Sequence, residues 1–275
     1  MQIMKNILIC PKCKCDLIEY DKCYKCPNNH NYDKSKRGYV NLLLANQMNA
    51  SSPGDNKVMM NSRKEFLNCG YYEQLKNKIL DYLEDNDNIT IVDLGCGEGY
   101  YSYELSFTNT VYGLDISKDM INEASKKMNN KDNSNLHYVI ASINNLPFVN
   151  SSVDVILNIF APINLEEVKR VIKKNGKIIK VIPGEYHLYE LKEILYDDVY
   201  LNTVNEFNDE DIKLINSYDL KYKININNHD LMNILIMTPY YYKTKKQDKE
   251  KLKCVDNLDV TFDFIIQVYE CLKKR

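Results

Sequence analysis

Three closely spaced glycines after a short apolar segment are the feature of this sequence that most restricts its fold. Residues 92–101 read V-D-L-G-C-G-E-G-Y-Y, with glycines at positions 95, 97 and 99. A buried strand that ends in a glycine-rich turn and leads into a helix is typical of nucleotide-binding α/β sheets. The dinucleotide fingerprint G-x-G-x-x-G, however, needs a glycine at the position of Tyr100. The turn therefore predicts this kind of sheet and excludes the usual NAD pattern.

The segments around the turn alternate between short apolar strands and helices. Ser117 is placed to cap a helix that runs to Met128, and residues 165–172 have a second helical pattern. Short strands alternating with such helices predict an α/β fold with a mostly parallel, doubly wound sheet. Five strands are predicted in order, at residues 89–93, 111–115, 136–141, 153–160 and 177–182.

The flanking segments are predicted from weaker patterns. The apolar spacing of residues 57–83 predicts one helical stretch, which the polar run E-D-N-D-N ends. Residues 260–268 have the composition of a final strand. Residues 237–247 read M-T-P-Y-Y-Y-K-T-K-K-Q and are interpreted as a basic, aromatic loop.

The glycine spacing G-x-G-x-G after the acidic residue Asp93 resembles motif I of class I methyltransferases. Gly95, Gly97 and Gly99 permit positive φ and close approach of the backbone to a cofactor. The helix that follows offers free N–H groups to the carboxylate of the methionine moiety of S-adenosylmethionine. Asp93 is expected to hold the methionine ammonium. Asp115, at the tip of the second strand, is expected to hold the ribose hydroxyls. A glycine turn can also merely pack a strand on a helix, but two carboxylates and five ordered strands favour the cofactor site.

A cluster of cysteines near the N-terminus predicts a metal site. Five of the nine cysteines lie between Cys10 and Cys26. Two ligand sets fit tetrahedral zinc, because Cys10, Cys13 and Cys26 are completed by either Cys23 or His30. Four protein ligands leave no open position, so the site is expected to be structural. A module of about 40 residues is too small to fold without such a stabilising metal site.

Charge is distributed unevenly along the chain. The net charge is −2, but residues 1–47 carry eight Lys or Arg and four Asp or Glu, a net charge of +4. A basic head on an acidic body indicates an anionic partner for the head. No apolar run of about 18 residues predicts a membrane span. We read no secretory signal before the cysteines, so a reducing cytoplasm is expected.

These features divide the chain into three predicted parts. Residues 1–47 form a small zinc-binding module, and residues 48–88 form a linker and helical segment. The segment N-Q-M-N-A-S-S-P-G-D at residues 46–55 has the composition of the linker itself. Residues 89–275 form the S-adenosylmethionine-dependent methyltransferase domain.

Nearly the whole chain resembles the RlmA family, the bacterial 23S rRNA (guanine-N1)-methyltransferases. The generic part of this resemblance is D-L-G-C-G-E-G, and the specific part is the zinc module joined to P-G-D, G-Y-Y and P-G-x-x-H-L-x-E-L. The segments that carry it are C-P-K-C, C-P-N-N-H, K-R-G-Y-V-N-L-L, S-P-G-D, F-L-N-C-G-Y-Y, D-L-G-C-G-E-G-Y-Y, G-L-D-I-S-K, N-L-P-F, I-F-A-P and V-I-P-G-E-Y-H-L-Y-E-L-K.

The resemblance implies a set of site residues. It favours His30 over Cys23 as the fourth zinc ligand, although Cys15 and Cys23 depart from the family pattern as extra thiols. It also implies a homodimer and an rRNA substrate. Cofactor contacts are implied for Tyr72, Gly97, Glu98 and His187.

Methylation at guanine N1 sets chemical requirements that the sequence meets only in part. N1 lies on the Watson–Crick edge, so the guanine must be unpaired or flipped out, as in the hairpin loop that the resemblance implies. The proton on N1 must be removed as the methyl group is transferred. Asp55 and His187 are candidate bases, and Tyr240, Tyr241 and Tyr242 could stack on RNA bases. Phosphate contacts are predicted for the lysines and arginine of the head and tail, Lys34, Lys36, Arg37, Lys243, Lys245 and Lys246.

Three hypotheses follow for the function. The first is an rRNA guanine-N1 methyltransferase. The second is a small-molecule methyltransferase, against which the basic zinc head argues. The third is a non-catalytic zinc-containing RNA-binding adaptor, against which the intact glycine turn with Asp93 and Asp115 argues.

Overall fold

The computed structural model of the chain describes residues 6–47, 56–129 and 135–273. Its N-terminal part contains a small antiparallel sheet in the order β1–β2–β3. These three short strands are β1 (Ile18–Glu19), β2 (Cys23–Lys25) and β3 (Asn31–Asp33).

An eight-stranded sheet forms the centre of the described residues, in the order β10-β11-β9-β8-β5-β6-β7-β4. The pairs from β9 to β4 are parallel, whereas β11 pairs antiparallel with both β9 and β10. The strands are β4 (Val40–Asn41), β5 (Thr90–Leu94), β6 (Thr110–Asp115), β7 (Leu136–Ile140), β8 (Val153–Ile159), β9 (Ile172–Pro183), β10 (Ile212–Asn227) and β11 (Asn257–Cys271).

Helices cover both faces of this sheet, and buried apolar residues form a core on each face. Asn56, Ser117 and Asn164 cap α1, α4 and α5 by accepting backbone N–H bonds through their side chains. Single 3₁₀ turns lie at Ala45–Gln47 and Ser125–Asn129. The α-helices are α1 (Lys57–Asn68), α2 (Glu73–Leu83), α3 (Tyr100–Leu105), α4 (Lys118–Ala124), α5 (Leu165–Val171), α6 (Tyr189–Leu195), α7 (Asn228–Ile236), α8 (Tyr240–Lys243) and α9 (Lys246–Lys253).

The predicted α/β fold with a mostly parallel sheet is confirmed. All five predicted strands are present as β5 to β9, and Ser117 caps α4 as expected. The central strands are buried on both faces, which is why they read as continuous apolar runs. The predicted strand at residues 260–268 is the middle of the longer β11.

Three sequence expectations were wrong in detail. The helical stretch at residues 57–83 is two helices, because the chain turns at Gly70, whose φ is +80°. The fifth strand begins at Ile172 rather than at residue 177, and Asn175 with φ +61° lies in a bulge against β8. Residues 237–247 are not simply a loop, since they contain α8 and the start of α9.

The N-terminal module is joined to the edge of the large sheet. Its last strand, β4, pairs in parallel with β7. The backbone N–H of Ile9 donates to Pro147 O at 2.9 Å, and that of Val149 donates to Ile7 O at 2.9 Å. Residues 48–55 of the predicted linker lie outside the described residues. Among the described helices, none has the length and apolar character needed to cross a membrane.

Candidate cofactor site and metal centre

A cavity of about 1060 Å³ opens at the carboxyl ends of the central parallel strands. The chain runs from β5 to β6 and β7 on one side and returns to β8 and β9 on the other, so the cavity lies where the strand order reverses. Such a switch point is the usual ligand site of an open α/β sheet. Asp93, Asp115, Tyr72 and His187 line this cavity, and so does the glycine turn from residue 95 to residue 98, whereas Gly99 does not.

The glycine turn is held close to β6 and to the loop that follows β8. The backbone N–H groups of Gly95 and Cys96 both donate to Leu114 O on β6. Gly95, Gly97 and Gly99 have φ of +74°, +56° and +76°, which L side chains rarely adopt. A Cβ on Gly95 would lie 2.5 Å from Ala161 Cβ, whereas a Cβ on Gly97 would meet nothing within 3.8 Å. Gly95 is therefore required by packing, and the backbone at Gly97 stays open to the cavity.

Asp93 lies buried at the carboxyl end of β5 and accepts a hydrogen bond from Ser102 Oγ at 2.5 Å. Burial raises the pKa of Asp93 to about 7, and the Ser102 bond opposes this shift. A cationic ligand group would remove the cost of the buried charge. Binding of an ammonium group here would therefore favour the ionised carboxylate and release a proton from Asp93.

Asp115 connects the end of β6 to the glycine turn. Its Oδ2 accepts from the Gly97 N–H at 3.1 Å, and its Oδ1 accepts from the Ser117 N–H at 2.8 Å. Each carboxylate oxygen can accept more than one hydrogen bond. The side chain is therefore fixed in place while it keeps acceptor capacity towards the cavity.

Glu98 is buried beside the turn, and burial raises its pKa, while Arg63 is the main opposing influence. Arg63 lies on α1 and donates to Met237 O at 3.2 Å. The sequence patterns did not single out Arg63, because a lone arginine in a helical segment is normally a surface residue.

An aromatic cluster closes the β8–β9 side of the cavity. Tyr72, in the turn between α1 and α2, is 4% exposed and packs edge-on against Phe262 and Phe264 at 5.4 and 5.0 Å between ring centroids. His187 lies 6.1 Å from the ring of Phe160 and 4.9 Å from that of Phe264. The side chain of Phe160 is 40% exposed. Its backbone has a φ of +53°, a strained conformation of the kind found at functional sites.

His187 is buried and is held by β11. The backbone N–H of Asp263 donates to its Nδ1 at 3.3 Å. Burial, followed by the nearby Lys192, lowers the pKa of His187 to about 3. The imidazole is therefore neutral at physiological pH. The other candidate base, Asp55, lies outside the described residues.

Four ligand atoms in the head form a compact group. The sulfur atoms of Cys10, Cys13 and Cys26 and a ring nitrogen of His30 all lie within 4.8 Å of one another. Cys13 Sγ is 3.6 Å from Cys26 Sγ, and His30 Nδ1 is 3.4 and 3.3 Å from the sulfurs of Cys10 and Cys26. An ideal tetrahedron with Zn–S bonds of about 2.3 Å has S···S edges of roughly 3.8 Å. The donor set thus fits zinc, and Cys23 lies outside the group.

The basic residues named from the sequence have different surroundings. Lys34 is paired with Glu19, and Arg37 donates to the backbone and side chain of Asn122 on α4. Lys36 is exposed, as are all three tail lysines, Lys243, Lys245 and Lys246. The tail tyrosines also differ in their surroundings. The hydroxyl of Tyr240 donates to Asn202 Oδ1, whereas Tyr242 is 65% exposed at the cavity mouth.

Comparisons with known proteins agree with this geometry. Residues 85–235 match the family described as "Methyltransferase domain", and residues 8–50 match the zinc ribbon described as "RlmA, N-terminal". The YxjB protein of Bacillus subtilis, provisionally named a 23S rRNA (guanine-N(1)-)-methyltransferase, is 30% identical over 87% of this chain and 87% of its own length. The 23S rRNA (guanine(748)-N(1))-methyltransferase of Streptomyces fradiae is 28% identical over 70% of this chain and 69% of its own.

Among solved structures, the YcgJ protein of Bacillus subtilis has a TM-score of 0.50 and 16% identity. It covers 74% of this chain with its full length. At this level of identity the likeness concerns the fold alone.

The switch-point cavity, the G-x-G-x-G turn and the matched catalytic domain define a class I S-adenosylmethionine-dependent methyltransferase. Its N-terminal module is a zinc ribbon. With both modules matched and the relative YxjB aligned over most of its length, the chain belongs to the RlmA family of 23S rRNA (guanine-N1)-methyltransferases.

Proposed function

We propose that this enzyme methylates N1 of an unpaired guanine in a hairpin loop of 23S rRNA, in the cytoplasm. The observation that carries the proposal is the joining of the zinc ribbon to the methyltransferase sheet through β4, in a chain that matches YxjB over 87% of both lengths. A small-molecule methyltransferase has no evident need for such a basic head.

The two sides of the cavity suggest two binding regions. The β5–β6 side carries the glycine turn and the two aspartates, and the β8–β9 side carries the aromatic cluster. Pockets for one small ligand usually measure about 300–1,000 Å³, so a cavity of about 1060 Å³ is large enough for the cofactor. We assign the aromatic side of the cavity to the acceptor base.

The residues on the β5–β6 side fit S-adenosylmethionine. Asp93 would hold the methionine ammonium and Asp115 the ribose hydroxyls. The open backbone at Gly97 would approach the cofactor, beside Gly95 and Gly99, with Glu98 next to its methionine end. Tyr72 and His187 would border that end from the aromatic side of the cavity. When bound, the cofactor supplies an electrophilic methyl group on sulfur. The chain orients the acceptor nitrogen towards that group and excludes water from it.

We assign zinc to Cys10, Cys13, Cys26 and His30. With all four positions taken by protein atoms, the metal would stabilise the head and take no part in methyl transfer. Tyr32 Oη lies 3.1 Å from Cys10 Sγ, where its hydroxyl can donate to the thiolate and orient it.

RNA binding is assigned to exposed basic groups near the cavity mouth. The tail lysines Lys243, Lys245 and Lys246 lie close to Tyr242 in sequence, and Lys243 itself lines the cavity. Lys36, on the head, is a further exposed basic group. We expect a homodimer from the family resemblance, and light scattering of the purified protein at several concentrations tests that expectation.

The proposal is tested with two synthetic hairpins that carry the same loop guanine. In one hairpin the guanine is unpaired, and in the other a compensating cytosine pairs it. We expect labelled methyl transfer to the first RNA and at least tenfold less to the second, because the duplex hides N1. Equal labelling of both RNAs, or labelling of neither while the cofactor binds, would contradict the proposal.

A further inference from the structure

We infer that His187 donates a hydrogen bond from Nε2–H to O6 of the acceptor guanine, and that it therefore positions and polarises the base instead of removing its proton. This inference rests on the proposed function. It concerns the same cavity but gives His187 a role towards the RNA base.

The first support is the fixed orientation of the imidazole. The turn that carries His187 is anchored on both sides: the Leu188 N–H donates to Thr261 O at 2.8 Å, and Asn202 Nδ2 donates to His187 O at 3.4 Å. The ring is packed among Tyr72, Phe160 and two phenylalanines of β11. The side chain is thus both rigid and directed by the fold.

The second support is the tautomer. A backbone N–H can only donate, so the bond from Asp263 N–H requires a lone pair on Nδ1. In a neutral imidazole the proton must then be on Nε2. Among the described residues, no hydrogen-bond partner is recorded for Nε2, and His187 lines the cavity. His187 therefore presents an N–H donor to the cavity. Because Nε2 already carries a proton and Nδ1 accepts from Asp263, the ring cannot accept a further proton from guanine.

The third support is the charge around the ring. Lys192 on α6 is fully buried, and its Nζ donates to Tyr200 O at 2.9 Å and approaches Asn202 Oδ1 at 3.5 Å. No carboxylate among the described residues pairs with it. Asp263 on β11 is the acidic neighbour, and its carboxylate accepts from the Tyr186 N–H at 2.9 Å and lies 3.9 Å from Lys221. Tyr72 faces the ring from the α1–α2 turn. The ammonium of Lys192 disfavours a positive charge on the imidazole, which helps to keep the ring in its neutral, Nε2-protonated form.

These properties match the chemistry at guanine N1. When N1 loses its proton to water, the negative charge is shared with O6 through the ring amide. A donor fixed at O6 stabilises that charge in the way an oxyanion hole does. With S-adenosylmethionine bound, the electron pair on N1 would form the N–C bond as the methyl–sulfur bond breaks, and that bonding pair would remain on sulfur. The same donor would reject adenine, whose amino group at this position is itself a donor.

The test compares His187→Phe, which keeps an aromatic ring and removes the donor, with His187→Gln, which keeps an N–H donor. Single-turnover methylation of the unpaired hairpin is measured from pH 6 to pH 10 at saturating cofactor. We expect His187→Phe to lose about 10²–10³-fold in rate at neutral pH. The midpoint of its rise with pH should move up by about one to two units. His187→Gln should recover part of both effects. Because His187 also borders the cofactor, cofactor Kd is measured in parallel, and the rate at saturating cofactor should fall by a larger factor than Kd rises.

Three results would overturn the inference. One is an equal loss of rate at every pH with an unmoved midpoint. Another is a rise in cofactor Kd that accounts for the whole loss, which would assign His187 to the cofactor alone. The third is a His187→Gln variant that is folded, as judged by its melting temperature, yet as slow as His187→Phe. If the wild-type enzyme labels no guanine N1 at all, the proposed function has failed, and the assignment of His187 fails with it.

Discussion

Substitution of Gly95 by alanine is the sharpest test of how the glycine turn is built. The new Cβ would lie 2.5 Å from Ala161 Cβ, in the loop after β8, and the residue would keep a φ of +74°. Gly95 lies on the β5 side of the cavity and Ala161 on the β8 side. The substitution would therefore push apart the two segments between which the cavity opens.

The magnitude follows from two separate costs. An L residue in the left-handed region costs about 1–2 kcal/mol. Overlap with a neighbour in a packed site costs about 1–3 kcal/mol. Gly95→Ala should therefore lower the free energy of unfolding by roughly 2–5 kcal/mol. Replacing Ala161 by glycine removes the overlapping atom and leaves the nearest contact at 3.9 Å, so it should recover the overlap cost but not the backbone cost.

Gly97→Ala is the matched control. Its φ of +56° carries the same kind of backbone cost, but its Cβ would meet nothing within 3.8 Å. It should lose only about 1–2 kcal/mol. Denaturant unfolding of Gly95→Ala, Ala161→Gly, the double variant and Gly97→Ala gives all four values, and cofactor Kd is read in parallel. The reasoning is refuted if the double variant is additive, or if the two glycine substitutions cost the same.

Three further outcomes are expected. Cys26→Ser should lose bound zinc and unfold the head, because it removes a ligand. Cys23→Ser should retain about one zinc per chain, as measured by elemental analysis. Loss of zinc from Cys23→Ser would contradict the ligand set. Because the Asp93 pKa is raised to about 7 in the free enzyme and a bound ammonium favours the carboxylate, cofactor affinity should fall as pH drops below 7, approaching tenfold per unit. Calorimetry at pH 5.5 and 7.5 should show this fall in the wild type and a flat response in Asp93→Asn; a flat wild type would disprove the contact. Alanine at the three tail lysines should weaken RNA binding and reduce the slope of log affinity against log salt concentration by about two. Lys253→Ala, which removes a lysine paired with Glu250, should change neither quantity. An unchanged slope in the triple variant would contradict the assignment of the RNA surface to these lysines.

The centre of the fold was predictable because its signals are local. Strands buried on both faces read as apolar runs, and the glycine turn marks the start of α3. β10 was missed because it is an edge strand that alternates exposed and half-buried residues and contains many polar ones. The antiparallel pairing of β10 and β11 depends on contacts between distant segments, which local patterns do not encode.

The residues of the candidate site were predictable to a similar extent. Residue type and spacing singled out Asp93 and Asp115, which the structure brings to one cavity. Spacing alone could not choose between Cys23 and His30, because that choice depends on how the hairpin of β2 and β3 directs each side chain. The burial of Lys192 was also invisible, since a lysine in an amphipathic segment is normally exposed.

The central claim is tested most directly by methylation of whole 23S rRNA that lacks the modification, with labelled cofactor and mapping by reverse transcription. A methyl group on N1 blocks base pairing and stops the transcriptase. We predict close to one methyl group per rRNA molecule and a single strong stop at a guanine in one hairpin loop. Cofactor binding without label in the RNA, or label without a stop, would contradict the assignment of this enzyme to guanine N1 of 23S rRNA.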